Sequence, residues 1–228
     1  MRKNSYKTYI LKSDYFVISH LQRFINKSLE TYLYNGCSVA DIGCGEQPLK
    51  EKILKLGANY IGFDIQQNTN NTVDVICFAE DLKSADMAFD VVLCTEVLEH
   101  VNDYKKSFAE LVRVLKKDGI LIITTPFMYP LHEEPHDKQR LTIHNFFELA
   151  KTNDLTVISI GKTGNDLEVL ATLWDRMWLY NGKYKFLKKI RNTFARSCVN
   201  LPVYFFSKLF SSWFPKKSYL NNIAVLKK

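Results

Sequence analysis

The sequence lacks the features that most quickly assign a small protein to a class. None of its five cysteines forms a Cys-x-x-Cys pair, which argues against a zinc ribbon and a thioredoxin-like redox site. The apolar run nearest the N-terminus, Tyr15–Ile18, is far shorter than the roughly 7–15 apolar residues of a signal peptide. Four of the cysteines fall in or beside predicted buried strands. We therefore expect reduced thiols in a cytoplasmic protein.

Acidic residues are missing from positions 176–228, which contain twelve of the 31 lysine and arginine residues. Residues 1–175 therefore carry 19 basic and 24 acidic groups, a net charge of −5. The whole positive excess belongs to the last part of the chain. We expect this part to contact a local anionic partner.

Long apolar runs are missing as well. The richest run, from Leu201 to Phe214, includes Lys208 and is shorter than the about 20 apolar residues of a membrane span. Aromatic residues beside cationic ones instead predict that residues 186–214 lie on an anionic membrane surface. Two alternatives stay open: a helical cap over a substrate pocket, and a nucleic-acid surface. The block of Phe and Trp disfavours the latter, so no nucleic-acid partner is expected.

A dinucleotide-binding fingerprint is present only in part. Residues 39–45 read Val-Ala-Asp-Ile-Gly-Cys-Gly, but Pro48 occupies the position of the third glycine of Gly-x-Gly-x-x-Gly. The two glycines let the backbone approach a ligand closely, and Asp64, about 20 positions further on, suits ribose hydroxyls. Asp41 would repel a pyrophosphate but attract an ammonium or a sulfonium. These charges favour S-adenosyl-L-methionine over NAD or FAD.

Short apolar runs alternate with amphipathic segments along the chain. Strands are predicted at 38–42, 59–64, 73–77, 89–94, 119–124, 155–160 and 219–228, and helices at 14–34, 47–56, 103–116 and 142–152. This alternation predicts an α/β fold whose parallel sheet is covered on both faces. The long gap before the last strand needs structure of its own. Helices are predicted there at 167–178, at 186–196, and from an Asn200 cap through Pro202 to Pro215.

Five segments occur in order that together resemble the class I S-adenosylmethionine-dependent methyltransferases. They are Val-Ala-Asp-Ile-Gly-Cys-Gly (39–45), Ile-Gly-Phe-Asp (61–64), Ala-Glu-Asp-Leu (79–82), Phe-Asp-Val-Val-Leu-Cys-Thr-Glu-Val-Leu-Glu-His-Val (89–101) and Leu-Lys-Lys-Asp-Gly-Ile-Leu-Ile-Ile-Thr-Thr-Pro (115–126). The resemblance implies a doubly wound, Rossmann-like sheet of seven strands, mostly parallel, with an antiparallel last strand. We expect a cofactor-binding core at 1–165, a basic-aromatic helical insertion at 166–217 and the final strand of the core at 218–228.

The resemblance also implies the cofactor contacts. These are Asp41, Gly43, Cys44 and Gly45 for the methionine end, Asp64 and Ile65 for the ribose, Ala79 and Glu80 for adenine, and Thr95 and Glu96 beside the sulfur. Many relatives have an aspartate where this chain has Phe78. Either the backbone at 78–79 and apolar contacts hold adenine, or Glu80 supplies the acid, or Phe78 is simply a core residue.

Candidate catalytic residues follow the predicted fifth strand. Transfer to a hydroxyl needs a base, and histidine is the usual choice. We expect His132, His136, Asp137 and Arg140 to orient or deprotonate the acceptor, with His136 as the favoured base. The alternative is a structural anchor in which Arg140 pairs with Asp137. The segment is similar to methyltransferases linked to the synthesis of bacterial cell-surface polysaccharides.

Two possible metal motifs are weak. The run from His132 to His136 matches His-Glu-x-x-His, but Pro135 would break the helix that this zinc motif needs. Glu96, Glu99 and His100 resemble a stretch implicated in divalent-cation binding in ubiquinone-type O-methyltransferases. The same stretch occurs in members without a metal, where it orders the loop after the fourth strand. We expect no metal.

The function that we expect is S-adenosyl-L-methionine-dependent O-methylation of a small or lipid-linked acceptor, such as a sugar or glycan hydroxyl. The enzyme would work in the cytoplasm, at the inner face of the membrane. Two alternatives stay open: a methyltransferase acting on a quinone or phenol, and an inactive binding module that keeps the cofactor fold.

Overall fold

The computed structural model describes residues 8–12, 14–177, 185–210, 213–214 and 217–228, with the backbone alone at 177, 185–192 and 195. The elements in chain order are α1 (Tyr15–Tyr32), β1 (Ser38–Ile42), α2 (Lys50–Lys55), β2 (Asn59–Asp64), β3 (Val75–Ile76), β4 (Phe89–Thr95), α3 (Tyr104–Val114), β5 (Leu115–Pro126), α4 (Ile143–Thr152), β6 (Thr156–Thr163), α5 (Asp166–Met177), α6 (Lys185–Leu209) and β7 (Asn221–Lys227).

The strands form one sheet in the order β3-β2-β1-β4-β5-β7-β6. The pairs from β3 to β5 are parallel, and β7 is antiparallel to both β5 and β6. The predicted fold is therefore confirmed. The chain runs outward from β1 to β3 and then crosses back to β4, so the strand order reverses between β1 and β4. Ligands bind at such a reversal, beyond the carboxyl ends of the strands.

Helices cover both faces of the sheet and divide the core into two layers. Buried side chains of α3 and α4 pack on one face: Phe108, Leu111, Phe146 and Leu149. Buried side chains of α1, α2, α5 and α6 form the other layer: Leu21, Ile25, Ile53, Val169 and Val203. Burial on both faces explains the nearly continuous apolar sequences of β1 and β4. Of the cysteines, Cys37, Cys44 and Cys94 are buried, and no disulfide joins the five.

Several element boundaries differ from the prediction. The third strand is only Val75–Ile76, because it pairs with β2 alone at the sheet edge. Helix α2 begins at Lys50 rather than at 47, since Gln47 has a positive φ of 54° that a helix does not accept. Helix α3 ends at Val114, and Leu115 already pairs with Phe89 as the start of β5.

The predicted helix at 186–196 and the first ten residues of the one predicted from 200 form a single helix, α6, which has Pro202 inside it and ends at Leu209. The prediction that Asn200 caps a new helix is wrong. Its side chain is buried and donates to the carbonyl of Ile10 at 2.9 Å, so a contact with the N-terminal segment replaces the cap. The predicted stop at Pro215 lies outside the described residues. So do the side chains of 186–192 in the segment that is predicted to lie on a membrane surface. Among the described helices, none has the length and apolar content to cross a membrane.

Candidate active site

The turn after β1 brings its backbone close to a ligand position. Gly43 and Gly45 have positive φ values of 66° and 55°, which favour glycine. A β-carbon on Gly43 would overlap the side chain of Val97. The amide of Cys44 donates to the carbonyl of Phe63 at 2.9 Å and ties the turn to β2. The sequence therefore requires glycine here for both conformation and space.

Asp64 joins the end of β2 to this turn. Its Oδ2 accepts from the amide of Gly45 at 2.8 Å, and its Oδ1 accepts from the amide of Ile65 at 2.8 Å. Each carboxylate oxygen can accept more than one hydrogen bond. The geometry therefore leaves acceptor capacity for a pair of vicinal hydroxyls, as a ribose would present.

Asp41 lies beneath the turn and is fully buried. The hydroxyl of Tyr60 donates to its Oδ2 at 3.0 Å. The Lys50 ammonium lies 5.3 Å from the centre of the Tyr60 ring. The carboxylate that the sequence assigned to the methionine end is thus held by the protein, and any influence on a bound cation acts through its charge.

A polar loop supports the turn from behind, and the sequence did not reveal this role. Asn68 is buried, and its Nδ2 donates to the carbonyl of Gly45 at 3.1 Å and to Thr72 Oγ1 at 2.8 Å. Gln47 Nε2 donates to the carbonyl of Thr72 at 2.6 Å. The run of Gln, Asn and Thr at 66–72 has the composition of a solvated loop, so no local signal distinguished Asn68.

The edge of the site at which adenine is expected is apolar. Ile65 and Phe78 are 60% and 63% exposed, whereas Ala79 is buried. The alternative that Phe78 is a core residue is therefore wrong. Glu80 Oε1 accepts from the amide of Asn102 at 2.8 Å and so fixes the approach to α3. This contact favours the alternative in which the backbone and apolar side chains hold the base.

The end of β4 holds a carboxylate in a strained backbone conformation. Thr95 is fully buried, and Glu96 follows it with a φ of 57°, which costs energy for a residue other than glycine. Glu96 Oε1 accepts from Thr124 Oγ1 at 2.8 Å, and Oε2 accepts from Asn221 Nδ2 at 3.1 Å. Asn221 was missed because it is 125 positions from Glu96. Its only local signal is a pair of asparagines at the start of a strand.

An open depression of about 450 Å³ lies beside the end of β5. It is lined by the β5–α4 loop and one residue of α5: Phe127, Met128, Tyr129, Pro130, Leu131, Asp137, Lys138, Gln139, Arg140 and Leu173. One part of this lining, 127–131 with Leu173, is apolar or aromatic, and the other, 137–140, is polar or charged. The depression is therefore a candidate acceptor site, and it contains two of the four predicted catalytic residues.

Three of those four residues form one hydrogen-bonded group. His132 Nδ1 lies 3.0 Å from Asp137 Oδ2, and Arg140 donates to both oxygens of the fully buried Asp137 carboxylate. Burial raises the pKa of Asp137, but the hydrogen bonds from Arg140 and from the His132 amide hold it below its usual value. The pair of Arg140 with Asp137 that the alternative prediction describes is therefore present, and it also orients His132.

His136, the base that the sequence favoured, lies apart from this group. Its side chain is exposed, and its carbonyl oxygen lies 3.2 Å from His100 Nδ1. The segment from His132 to His136 has no helix, so it lacks the geometry of a His-Glu-x-x-His zinc site, as expected from Pro135. Within this loop, His132 is the better positioned histidine.

Glu99, His100 and His132 bring three potential metal ligands within 4.8 Å of one another. Glu99 is 1% exposed, and neither carboxylate oxygen has a hydrogen-bond partner among the described residues. Burial raises the pKa of Glu99 well above its usual value, and the charge of Glu96 raises it further. The cluster can therefore hold a divalent cation, or keep a proton on Glu99 without one.

Residues 40–123, which extend from β1 into β5 and include the glycine turn, match the methyltransferase domain family. Over this stretch the chain is similar to the class I S-adenosylmethionine-dependent methyltransferases. The ubiquinone biosynthesis O-methyltransferase of Mesorhizobium japonicum is 34% identical to this chain over 104 residues, which cover 40% of this chain and 42% of that protein. The chain thus spans less than half the length of such curated relatives.

Solved structures share the fold over most of this chain. A methyltransferase from Archaeoglobus fulgidus gives a TM-score of 0.60 at 17% identity, over 91% of this chain and 93% of its own. The cyclase SpnF gives a TM-score of 0.59 at 15% identity, over 99% of this chain and 86% of its own. A fold that serves both a methyltransferase and a cyclase does not specify the reaction.

Proposed function

We propose that the protein transfers a methyl group from S-adenosyl-L-methionine to a hydroxyl of a small or lipid-linked acceptor, such as a sugar or glycan. The observation that carries this proposal is the Asp64 carboxylate, which accepts from the Gly45 and Ile65 amides beside a turn that admits only glycine. The acceptor depression lies beyond the same edge of the sheet. A polar ligand and a second substrate can therefore meet there.

The residues fit this cofactor in their chemistry. Gly43 and Gly45 give the turn the positive φ values that would bring its backbone to the methionine end, Asp64 would accept from ribose hydroxyls, and Ile65 with Phe78 offers apolar contact to adenine. Bound there, S-adenosyl-L-methionine supplies a methyl group on a positively charged sulfur. The buried Asp41 carboxylate adds a negative charge close to that position.

His132 is the general base that we propose. Its Nδ1 donates to the carbonyl of Pro130 at 3.4 Å and lies 3.0 Å from Asp137 Oδ2, and these two acceptors set the tautomer that leaves Nε2 able to accept the proton of the acceptor hydroxyl. The Asp137 carboxylate, held ionised by Arg140, then stabilises the protonated ring. Transfer also depends on alignment of the acceptor, which the lining of the depression supplies.

The cofactor assignment is tested by replacing Asp64. The variant Asp64→Ala should abolish binding of S-adenosyl-L-methionine in calorimetry. Asp74→Ala is the matched control, because Asp74 also accepts from an amide of β2, that of Gly62 at 2.7 Å, without facing the turn. Unchanged affinity in Asp64→Ala would remove the ribose assignment.

The base is tested by comparing two histidines of one loop. His132→Gln should lower methyl incorporation into a lipid-linked glycan fraction by about 100-fold or more, with cofactor affinity unchanged. His136→Gln should retain most of the activity. The reverse result would return the role to His136. A protein that binds the cofactor but releases no S-adenosylhomocysteine with any acceptor would be an inactive binding module.

A second candidate function is O-methylation of a quinone or phenol. It draws on the similarity to ubiquinone biosynthesis O-methyltransferases and on the cluster of Glu99, His100 and His132. Turnover of a catechol that is lost with EDTA and restored by Mg²⁺ would favour this function. Turnover of a glycan acceptor that is indifferent to EDTA would favour the first.

The acceptor that we favour is lipid-linked, reached at the inner face of the cytoplasmic membrane through residues 186–214. Support comes from composition: the acid-free, basic end of the chain contains this segment. Activity on a polyprenyl-linked glycan that exceeds activity on the free glycan would support this choice. Equal activity on the polyprenyl-linked and the free glycan would mean that the lipid is not recognised and that the acceptor is a soluble sugar.

A further inference from the structure

In the described part of helix α6, two polar side chains face the interior and several large apolar side chains face outward. Asn200 and Ser207 are buried, and Arg196 pairs with Asp175 at 2.7 Å between α6 and α5. A surface helix of a soluble protein normally has the opposite arrangement. The contacts of Asn200 with the Ile10 carbonyl and of Arg196 with Asp175 hold α6 in place, so its outer face is a fixed surface.

The outer face of α6 is a row of large apolar side chains. Phe194, Leu201, Phe205 and Leu209 follow one another at spacings of seven, four and four residues, which places them on one side of a helix. Phe194, Phe205 and Leu209 are 70%, 65% and 75% exposed. Trp213 follows the helix and is also exposed. Contiguous patches of this kind mark interaction sites.

Helix α5 connects this face to the acceptor depression. Leu170 and Trp174 are exposed and lie one turn apart on the outside of α5, while Leu173 between them lines the depression. We define the docking face as the exposed apolar side chains of α5, α6 and the segment after it: Leu170, Trp174, Phe194, Leu201, Phe205, Phe206, Leu209 and Trp213.

We propose that the docking face inserts into the headgroup region of an anionic phospholipid bilayer. The stretch 183–217, which includes α6, contains nine lysines and arginines and no acid, which complements an anionic surface. A second copy of the chain is a poor occupant, because pairing would bring two acid-free, basic segments together. Aromatic side chains flanked by cationic ones are the composition of helices that lie in the bilayer interface.

This inference deepens the proposed function, since it supplies the surface at which a lipid-linked acceptor is reached. Leu173 shares α5 with the docking face, so insertion would bring the mouth of the depression to the level of the headgroups. A lipid-linked hydroxyl could then enter without leaving the membrane.

Tryptophan fluorescence gives a direct test, because all three tryptophans, Trp174, Trp178 and Trp213, lie in 166–217. Adding phosphatidylglycerol vesicles to the full-length protein should shift the emission to shorter wavelength and sediment the protein with the vesicles. Phosphatidylcholine vesicles should bind at least about tenfold less protein, and salt at about 0.5 M should release most of it.

A matched pair of double variants separates the docking face from general hydrophobicity. Phe205→Ser with Leu209→Ser should weaken partitioning into phosphatidylglycerol vesicles by roughly 100-fold. Leu54→Ser with Phe147→Ser changes two exposed apolar side chains on α2 and α4, and should leave partitioning unchanged. Both variants should bind S-adenosyl-L-methionine as the wild type does, which reports an intact fold and is independent of the membrane result.

Two outcomes would overturn the proposal. Wild-type protein that ignores phosphatidylglycerol vesicles, while binding the cofactor, would remove the membrane as occupant and leave the proposed reaction intact. A wild-type dimer in solution that becomes a monomer in the Phe205→Ser, Leu209→Ser variant would assign the face to a second copy of the chain. Loss of cofactor binding with retained vesicle binding would instead remove the proposed function alone.

Discussion

The glycine turn and the docking face are opposite solutions to the placement of polar groups. At the turn, the amides of Gly45 and Ile65 meet the Asp64 carboxylate, and Asn68 holds the Gly45 carbonyl. In α5 and α6, polar groups such as Asn200 form hydrogen bonds in the interior, and several aromatic side chains face outward. The turn is organised before any ligand arrives, whereas the face buries its apolar surface only when a partner covers it.

This difference teaches where each region derives its specificity. Polar contacts at the turn are short and directional, so a change of one atom there alters ligand affinity. Contacts at the docking face would depend on apolar area and net charge, which tolerate substitution of one residue by a similar one. Variants should therefore have large, local effects at the turn and graded, additive effects on α6.

The largest effect is expected from Gly43→Ala. The added β-carbon meets Val97, and the positive φ is unfavourable for alanine, so the free energy of unfolding should fall by about 2–5 kcal/mol. Cofactor binding should be lost with it. Denaturant unfolding and calorimetry measure the two quantities.

Gly161→Ala is the control for this prediction. A β-carbon there would lie 3.5 Å from Ile223, an ordinary contact. Its stability should change little. Equal losses in the two variants would mean that the turn has no special steric requirement, and the contrast between turn and helices would then disappear.

A smaller effect is expected from Phe78→Ala. If adenine rests on this exposed ring, affinity for S-adenosyl-L-methionine should fall by about 1 kcal/mol, roughly fivefold, with stability unchanged. Phe147→Ala removes a similarly exposed ring from α4 and serves as the control. Unaltered affinity in Phe78→Ala would leave adenine to the backbone alone.

The turn could be predicted from the sequence because its determinants are local. Strand β1, the glycines and Asp64 lie within 26 positions, and the spacing of the residues carries the chemistry. Seven strands were also recoverable from alternation, since each is a short apolar run between polar segments. The last strand, β7, was recognised even though α5 and α6 separate it from β6.

The remainder of the site could not be predicted because its contacts are long-range. Glu96 meets Asn221 across 125 positions, and His132 meets Glu99 through two separate loops. Helix α6 was divided in two because Asn200 and Pro202 are local helix-start signals. The contact of Asn200 with Ile10 overrode those signals. His136 was preferred as the base because sequence does not reveal which histidine has a buried carboxylate beside it.

The smallest effect concerns the pH dependence of stability, which should have opposite signs for two glutamates that differ in their partners. Glu99 is buried without a hydrogen-bond partner among the described residues, and burial raises its pKa. Glu110 accepts from Arg113 at 2.8 Å, which lowers its pKa. The contributions of Glu99 and Glu110 to the free energy of unfolding should therefore change with pH in opposite directions. The contribution of Glu99 to stability is present below the usual glutamate pKa and is lost as pH rises through the raised value.

The contribution of Glu110 is present at neutral pH and is lost as pH falls through its lowered pKa. Melting temperatures of Glu99→Gln and Glu110→Gln, measured with EDTA between about pH 3 and pH 8, should therefore diverge from wild type in opposite directions. Glu99→Gln should become more stable relative to the wild type as pH rises above the usual glutamate pKa. Glu110→Gln should become less stable relative to the wild type as pH rises toward that pKa, and should keep a constant difference above it. If the melting temperature of Glu99→Gln followed that of the wild type in parallel over the pH range, Glu99 would be solvated or paired. The cluster of Glu99, His100 and His132 would then not be a water-excluded site.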